Sequence, residues 1–353
     1  MKNEQTRMLQ NTLQTAKWAF STRRVQRTDA SQLSHDLAQA DSGDLVLGRV
    51  LAVGAHPRLQ LKDGRPSDLY EGDLIVVACG ARYASDQFEG IAVLSDEGAD
   101  LLAGGGCLGQ MRQRHAKMKM PTRVQVIGLL QDADGCTLNL ARYATPLAAP
   151  SGVLTVIGVV GASMNAGKTS AVASLVHGLE GAGYRTAAIK VTGTGAFGDW
   201  NAYEDAGASF VTDFTDAGMV STYLQPVERL EQALQHLLGA AEQAACEVAV
   251  VEFADGVLQR ETAALLEKPE VRGQFAGFLY ATPDALAAVG GQLSLQRLGI
   301  QPAALTGLIS ASPLNALEAQ AATGLPVLAR EALRDPAQAA SLLHSLSAEA
   351  VAC

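Results

Sequence analysis

The feature that most constrains the fold is a Gly-Lys-Thr triplet between an apolar run and a helical pattern. The segment VIGVVGASMNAGKTSAVASL reads as a strand, a loop and a helix, and Gly167, Lys168 and Thr169 match the end of the pattern G-x-x-x-x-G-K-[S/T]. Ala162 replaces the first glycine of that pattern, and Gly161 stands one place earlier. The run before the loop is continuously apolar, which is typical of a strand buried on both faces of a parallel sheet. The segment therefore predicts a P-loop in an α/β fold.

The loop residues predict a phosphate site. Backbone N–H groups of such a loop wrap a β-phosphate, and the positive end of the following helix assists them. Lys168 would neutralise β- and γ-phosphate oxygens, and Thr169 would place its hydroxyl on Mg²⁺. We therefore expect ATP, or another nucleoside triphosphate, and Mg²⁺ as cofactors. The predicted cofactor-binding residues are Ser163, Met164, Asn165, Ala166, Gly167, Lys168, Thr169 and Ser170. The alternative is a tight strand-to-helix turn with an exposed lysine.

Apolar runs alternate with helical patterns through the second part of the chain. After LTVIGVVGA, the predicted strands are TAAIKVTG, EVAVVEFA, GQFAGFLYA, ALTGLIS and LPVLA, and the predicted helices span 169–182, 226–244 and 283–298. This alternation predicts an α/β domain over residues 151–353, with a doubly wound, mostly parallel sheet.

The first part of the chain has a different pattern. Residues 41–146 contain short apolar or alternating runs bounded by Gly, Pro or Asp, which predict a smaller β-rich domain, either a barrel or a sandwich. Residues 1–40 are predicted to form a polar helical leader, and TPLAAPSG is predicted to be the linker between the domains. The segment RYASDQFEG is unusually polar, so it is either a face toward the crevice or a partner, or a solvated loop.

Charge and hydropathy exclude some classes of partner. The 353 residues have a formal charge of -9, whereas a duplex-binding protein normally has a basic face, so we expect no nucleic-acid partner. No apolar stretch reaches membrane-spanning length, and the N-terminal segment lacks the apolar core of a signal peptide. We therefore expect a cytoplasmic protein without a membrane partner.

Polar side chains follow two further apolar runs. Lys190 ends one run and is followed by Thr192 and Gly193, and Glu252 ends the run VAVVE. Strand C-termini line the ligand crevice of open α/β sheets, so the first group is predicted to bind an anionic substrate. A carboxylate at Glu252 would coordinate Mg²⁺ directly or through water. The predicted catalytic residues are Lys168, Lys190 and Glu252, although an ordinary charged strand end also explains Lys190.

The order of these motifs resembles that of dethiobiotin synthetase and its relatives, the cobyrinic acid amide synthetases and the molybdopterin-guanine dinucleotide biosynthesis protein B group. It is also similar to the P-loop domain family that includes D-glutamate N-acetyltransferases, in which a separate N-terminal domain comes first. The resemblance covers about residues 153–330. Where dethiobiotin synthetase has Lys-Pro-Val-x-[S/T]-Gly, this chain has Lys190-Val191-Thr192-Gly193, without the proline and one residue shorter.

The resemblance implies roles for several side chains. Lys190 would contact substrate and phosphate, and an aspartate in the following loop would bind Mg²⁺. Asp205 fits the family spacing best, and Asp199 is its rival. The expected metal ligands are Thr169, Asp205 and Glu252. The family's Gly-Ala-Gly-Gly after Val-Glu is absent here, and the family also implies a homodimer.

Three functions remain open from the sequence. The preferred one is an ATP-dependent ligase or kinase that activates a small anionic substrate by phosphoryl transfer. The second is a nucleotide-dependent switch or scaffold whose β-rich domain binds a partner protein. The third is a transferase whose P-loop holds the phosphates of coenzyme A.

Overall fold

The computed structural model of the protein describes residues 2–147 and 150–352, and the chain divides into two units. The barrel unit comprises Met1–Pro146, Thr194–Phe197 and Phe214–Leu224. The P-loop unit comprises Leu147–Gly193, Gly198–Asp213 and Gln225–Cys353. Ala148 and Ala149, two residues of the predicted linker, lie outside the described residues.

The barrel unit begins with one helix and continues mainly as strands. The helix α1 spans Lys2–Thr15. The strands are β1 (Lys17–Trp18), β2 (Gln32–Ser34), β3 (Leu45–Ala52), β4 (Arg58–Gln60), β5 (Pro66–Asp68), β6 (Leu74–Cys79), β7 (Arg82–Tyr83), β8 (Phe88–Ile91), β9 (Ala99–Ala103), β10 (Cys107–Arg114) and β11 (Thr122–Gln131).

Strand pairing closes part of this sheet on itself. The order β6-β3-β11-β9-β10 is completed by a further pairing between β10 and β6, so these strands form a ring. Alternate side chains of β6 enter two different clusters: Ile75 and Val77 join one, and Val76 joins the other. A ring of strands leaves few unpaired edges, which is how small barrels avoid edge-to-edge association. Of the two predicted β-rich architectures, the structure has the barrel.

The predicted helical leader is wrong over much of its length. Only Lys2–Thr15 is helical, whereas β1 pairs with β6 and β2 pairs with β11. Leu9 and Leu13 stand four residues apart, so they share one helix face and pack into the core with Trp18. These few apolar side chains bind the segment to the barrel unit despite its polar composition.

The P-loop unit contains a parallel sheet. Its strands are β12 (Thr155–Gly161), β13 (Thr186–Lys190), β14 (Phe210–Asp213), β15 (Val248–Glu252), β16 (Gly277–Ala281) and β17 (Pro302–Thr306). They lie in the order β14-β13-β15-β12-β16-β17, and every pairing is parallel. The chain moves outward from β12 in one direction and later in the other, which is the topology of a doubly wound sheet. The predicted fold class of this part is therefore confirmed.

The remaining helices connect or flank these strands. They are α2 (Lys168–Gly181), α3 (Phe197–Asp205), α4 (Val227–Gln243), α5 (Arg260–Glu267), α6 (Pro269–Arg272), α7 (Ala285–Arg297), α8 (Pro313–Thr323), α9 (Arg330–Arg334) and α10 (Pro336–Ala352). Val172, Leu175 and Leu179 on α2 are fully buried against β12 and α10 residues such as Ile157 and Leu343. This packing fixes the helix whose N-terminus carries the Gly-Lys-Thr triplet.

The strands differ from the sequence assignment at three segments. The strand predicted over ALTGLIS ends at Thr306, and Gly307–Ala311 forms a 3-10 helix instead. β14 was not predicted, because only half of its four residues are buried and it pairs with β13 alone. LPVLA is not a strand, and only Val327 forms an isolated bridge, with Leu305. Pro326 lacks the N–H that a ladder needs, which limits pairing there.

Across residues 2–147 and 150–352, the helices are too short or too polar to cross a bilayer.

Candidate functional site

The loop between β12 and α2 has the backbone that a phosphate cradle needs. Its left-handed residues are Asn165, with φ of 61°, and Gly167, with φ of 99°. A Cβ on Gly167 would lie 2.8 Å from Cα of Gly307, so only glycine fits there. The N–H of Leu308 donates to the carbonyl of Ala166 at 3.0 Å and holds the loop from the other side. Ala162, which replaces the first glycine of the pattern, is not one of the left-handed positions, so its backbone does not require glycine there.

Lys168 is buried in this loop, with 5% of its surface exposed. Its ammonium donates to the carbonyl oxygen of Ser163 at 2.8 Å and to that of Asp255. Burial lowers the pKa of Lys168, and the negative charge of Glu252 acts in the opposite direction. The alternative of a turn with an exposed lysine therefore does not describe this chain.

Two carboxylates face the hydroxyl of Thr169. Its Oγ1 lies 2.9 Å from Oδ1 of Asp199 and 3.3 Å from Oε1 of Glu252. Glu252 is 2% exposed at the end of β15, and its other oxygen accepts a hydrogen bond from the hydroxyl of Tyr203. The hydroxyl and both carboxylates thus converge on one point beside the P-loop.

Lys190 places a second ammonium beside the same carboxylates. It forms an ion pair with Asp199 and lies 3.9 Å from Oε1 of Glu252. Burial alone would lower the pKa of Lys190, but these two charges outweigh it and raise the pKa above its ordinary value. Burial would likewise raise the pKa of Asp199, yet the neighbouring Lys190 keeps that pKa below its usual range.

The topology of the sheet explains why these residues meet. β15 lies between β12 and β13, and the register aligns Lys190 and Val159 with Glu252. Carboxyl ends of parallel strands open at one edge, which is where ligands bind in open α/β sheets. The resulting cavity has a volume of about 400 Å³. Its lining consists of Met164, Asn165, Gly167, Lys168, Thr169, Ser170, Lys190, Asp199, Glu252, Ala254, Asp255 and Leu308.

Several predicted site residues lie outside this lining. Ser163 contributes the carbonyl that Lys168 contacts, and Ala166 is buried behind the loop. Thr192 is buried, and its hydroxyl donates to the carbonyl of Ala254 at 2.5 Å, so it supports the segment after β15. A Cβ on Gly193 would meet Cε of Lys190 at 3.0 Å, which makes this glycine a neighbour of the site.

The aspartate at the cavity is Asp199, and Asp205 does not line it. Asp205 is the exposed last residue of α3, whereas Asp199 lies in the first turn. A rise of about 1.5 Å per residue separates the two positions by about 9 Å along the helix axis. Tyr203 is four residues after Asp199, so both share one helix face toward Glu252. The four-residue spacing of Asp199 and Tyr203 is a sequence signal that favours Asp199 over Asp205. The same spacing identifies Tyr203 as a residue of the site, which the sequence analysis missed.

The donor set suits a small, hard cation that also binds phosphate. Mg²⁺ prefers oxygen ligands and usually takes one or two carboxylates together with phosphate oxygens and waters. Thr169, Asp199 and Glu252 supply such oxygens without any histidine or cysteine. Within the described part of the chain, no group of three or more His, Cys, Asp or Glu side chains is arranged so that it could hold a metal ion.

No family model matches the sequence, and no curated protein matches it. Among solved structures, FtsY from Mycoplasma mycoides has 14% identity and a TM-score of 0.34 over 55% of this chain and 67% of that chain. The signal recognition particle 54 kDa protein from Aeropyrum pernix, in complex with GDP, has 18% identity and a TM-score of 0.35 over 57% of this chain and 50% of that chain.

A third structure is similar to the same degree. It is the signal recognition particle receptor FtsY from Elizabethkingia anophelis, with 15% identity and a TM-score of 0.33 over 51% of this chain and 59% of that chain. The chain thus spans between half and two thirds of these proteins. TM-scores this low carry no information on activity, ligand or partner. None of these comparisons supports the family named from the sequence motifs.

Proposed function

We propose that the P-loop unit binds a nucleoside triphosphate with Mg²⁺ and transfers or hydrolyses its γ-phosphoryl group. The observation that carries this proposal is the convergence of Lys168, Thr169, Lys190, Asp199 and Glu252 on one cavity. Phosphoryl transfer requires mainly positioning and the neutralisation of charge, and these are the groups that supply both.

The two lysines have separate roles in this proposal. Lys168 contacts two neutral carbonyl oxygens, so its charge is available for the β- and γ-phosphate oxygens that the loop would cradle. Lys190 is paired with Asp199 and lies near Glu252, and it would spread the charge that develops on the transferred group. Such preorganised charges act strongly where water is excluded.

The carboxylates favour a metal-bound triphosphate. Thr169, Asp199 and Glu252 would hold Mg²⁺ directly or through water, and the bound ion would neutralise charge on the β- and γ-phosphates. A P-loop that held only the phosphates of coenzyme A would have no need of two carboxylates, one of them buried, beside its threonine. We therefore rank the coenzyme A transferase below the phosphoryl-transfer reaction. The proposal also covers the nucleobase, with ATP preferred, and the acceptor of the phosphoryl group, which is water or a small anionic substrate. A ligase or kinase reaction is likewise proposed.

One observation favours a nucleotide-dependent switch as the second candidate. The chain leaves the P-loop unit after Gly193, contributes Thr194–Phe197 to the barrel unit, and returns to the P-loop unit at Gly198, next to Asp199. Two predicted magnesium- and phosphate-contacting residues, Lys190 and Asp199, therefore flank a segment of the other unit. If hydrolysis displaced Lys190 or Asp199, the continuous backbone would transmit the displacement to that segment.

The matched pair Asp199→Asn and Asp205→Asn tests the proposal, because both lie on α3 and only Asp199 lines the cavity. We expect Asp199→Asn to reduce Mg²⁺-dependent turnover of ATP or GTP by about tenfold or more, since removal of a charge-assisted interaction costs about 1.5–3 kcal/mol. Asp205→Asn should behave as the wild type. Equal turnover in both variants, or none in the wild type with either nucleotide, contradicts the proposal. Stimulation by small carboxylates supports the ligase or kinase, whereas stimulation by a protein partner supports the switch.

A further inference from the structure

A second cavity lies in the barrel unit, and residues of that unit alone line it. Its volume is about 770 Å³, which is within the range of ordinary small-molecule sites. We call it the barrel cavity. It is separate from the phosphate cavity described above, because the two share no lining residue.

A fixed guanidinium belongs to the lining of the barrel cavity. Arg82 is buried, and it donates to the carbonyl of Leu102 and, at 3.0 Å, to Oε1 of Gln87. His56 lies beside it, with Nε2 3.4 Å from the Arg82 nitrogen. The other ring nitrogen of His56 lies 3.1 Å from the carbonyl oxygen of Leu101, which can only accept, so Nδ1 carries the hydrogen.

The imidazole therefore orients the guanidinium without adding charge. Burial, together with the charge of Arg82, lowers the pKa of His56 to about 4. The ring is neutral at physiological pH, and its Nε2 lone pair faces Arg82. A guanidinium held in one orientation can donate to a carboxylate or phosphate oxygen at a low entropic cost.

The lining as a whole is positive. Its charged residues are Arg58, Arg82 and Asp68, with His56 neutral, so two positive charges face one negative charge. Arg58 and Asp68 form an exposed ion pair at 2.9 Å, and Arg82 is the buried cation of the lining. A cavity of this size and sign suits a small anionic compound.

Thr194–Phe197 form one wall of the barrel cavity. We call these four residues the strap; they lie within the segment that connects Lys190 with Asp199. Its Phe197 N–H donates to Oε1 of Gln60 at 2.8 Å, and its Gly195 N–H donates to the carbonyl of Val220 at 2.9 Å. The strap is therefore held in the barrel unit, and only Gly198 separates it from Asp199.

We propose that the barrel cavity binds a small oxyanion, either a carboxylate or a phosphate compound, through Arg82, and that its occupancy alters the position of Asp199 through the strap. Binding itself does not depend on the nucleotide. The effect on turnover rests on the function proposed above for the P-loop unit. The two parts therefore need separate measurements.

Calorimetric titration of the full-length protein with succinate, citrate and inorganic phosphate tests the binding, with neutral succinamide as the comparison ligand. We expect Arg82→Gln to weaken binding of at least one anion by about ten- to a hundredfold, as loss of a charge-assisted hydrogen bond does. Lys168→Met should leave that binding intact, because its P-loop is not the site. If Arg82→Gln does not fold, the exposed Arg58→Gln is the second variant, and it should weaken the same anion.

Two results would overturn the binding proposal. One is that no anion binds more tightly than succinamide. The other is that anion binding is lost in Lys168→Met and kept in Arg82→Gln or Arg58→Gln, which would assign the anion to the P-loop. Binding of succinate or citrate without phosphate identifies the ligand as a carboxylate, and the reverse identifies it as a phosphate compound.

Neighbouring glycines provide a matched test of the coupling. A Cβ on Gly105 would lie 1.9 Å from the carbonyl oxygen of Gly195 in the strap. A Cβ on Gly104 would have the carbonyl oxygen of Arg58 as its nearest neighbour, at 3.2 Å. We expect Gly105→Ala to lower kcat for nucleotide turnover by about a hundredfold, since a displacement of about 1 Å at a catalytic group has effects of this order. Gly104→Ala should change kcat by less than about threefold, because its tightest contact, 3.2 Å from the carbonyl oxygen of Arg58, requires only a small shift and does not involve the strap.

A further variant covers the case in which Gly105→Ala does not fold. Gln60→Leu removes the hydrogen bond to the strap. Like Gly105→Ala, it should lower kcat, and it should raise the Mg²⁺ concentration that turnover requires. A folded Gly105→Ala or Gln60→Leu protein with wild-type turnover would overturn the coupling. If the wild type neither binds nor turns over nucleotide, the proposed function of the P-loop unit fails, and the anion titrations still decide whether the barrel cavity is a binding site.

Discussion

At the scale of single residues, the candidate site is an arrangement of charges that stabilise one another. Lys190 is paired with Asp199 and lies near Glu252, and Tyr203 donates to Glu252 from α3. Charges buried in this way are retained only when they are paired and hydrogen-bonded, because desolvation is costly. Lys190 is thus both a partner of the carboxylates and, in the proposed mechanism, a contact of the transferred group.

Lys190→Met and Lys190→Arg separate these two roles. We expect Lys190→Met to leave nucleotide affinity nearly unchanged and to lower kcat by about 10²–10³, the usual effect of removing one transition-state donor. Lys190→Arg should recover only part of this loss, because a forked guanidinium does not occupy the place of a compact ammonium. Steady-state kinetics and nucleotide titration measure the two effects separately.

The same variants also have a predicted effect on stability. Without the cation, the buried Glu252 and the partly buried Asp199 are left without their positive partner, and the cost is at most the ~3–5 kcal/mol typical of breaking a fully buried pair. We expect the melting temperature of Lys190→Met to fall without ligand and to recover in part with Mg²⁺. Wild-type turnover and stability in both variants would show that Lys190 is an ordinary strand end.

At the scale of elements, the P-loop depends on a segment that is distant in sequence. The turn after β17 begins at Gly307, whose φ is 87°, and a Cβ there would lie 2.2 Å from the carbonyl oxygen of Ala166. Gly324, at the end of α8, has a similar φ of 72° but open space around it. The pair therefore separates backbone strain from contact with the loop.

Gly307→Ala and Gly324→Ala are predicted to differ accordingly. Each places alanine in the left-handed region, at a cost of about 1–2 kcal/mol. Only Gly307→Ala should also displace the P-loop and weaken nucleotide binding, which titration of both variants at equal folded fraction measures. Equal affinity in the two variants would mean that this turn does not support the loop.

Local patterns predicted the strand, loop and helix of the P-loop, whereas long-range packing decided the rest. The Gly-Lys-Thr triplet and the apolar run before it are contiguous in sequence, so the pattern contains them. The choice between Asp199 and Asp205 depends on which face of α3 meets β15, and family spacing favoured the wrong end of the helix. The dependence on Gly307 joins residues about 140 positions apart, and no short pattern contains such a contact.

At the scale of the whole molecule, the sequence divided the chain at one linker, whereas the structure interleaves the two units. Residues 194–197 and 214–224 lie within the predicted P-loop domain but belong to the barrel unit. Asp216 illustrates the reason, because its fully buried carboxylate accepts from Arg23 at 2.8 Å and also pairs with Arg24. These partners are far apart in sequence, so composition along the chain does not reveal them.

The homodimer implied by the family resemblance remains a prediction.

The interleaving has a practical consequence for experiments on either unit. A fragment that ends near residue 146 would lack Asp216 and the strap, and a fragment that begins there would carry both without their partners. Measurements of function therefore require a protein that contains both units with all their segments.

Titration of the full-length protein with ATP and GTP, in the presence of Mg²⁺ and in the presence of EDTA, tests the central claim most directly when wild type and Lys168→Met are compared. Methionine fills the space of the lysine stem but leaves two carbonyl oxygens without their donor, so we expect a stability loss of about 1–3 kcal/mol in a variant that still folds. The wild type should bind at least one triphosphate in a Mg²⁺-dependent manner, and the folded Lys168→Met protein should not. Equal affinity in the two proteins, or no binding by the wild type, would contradict the assignment of this loop as a nucleotide site.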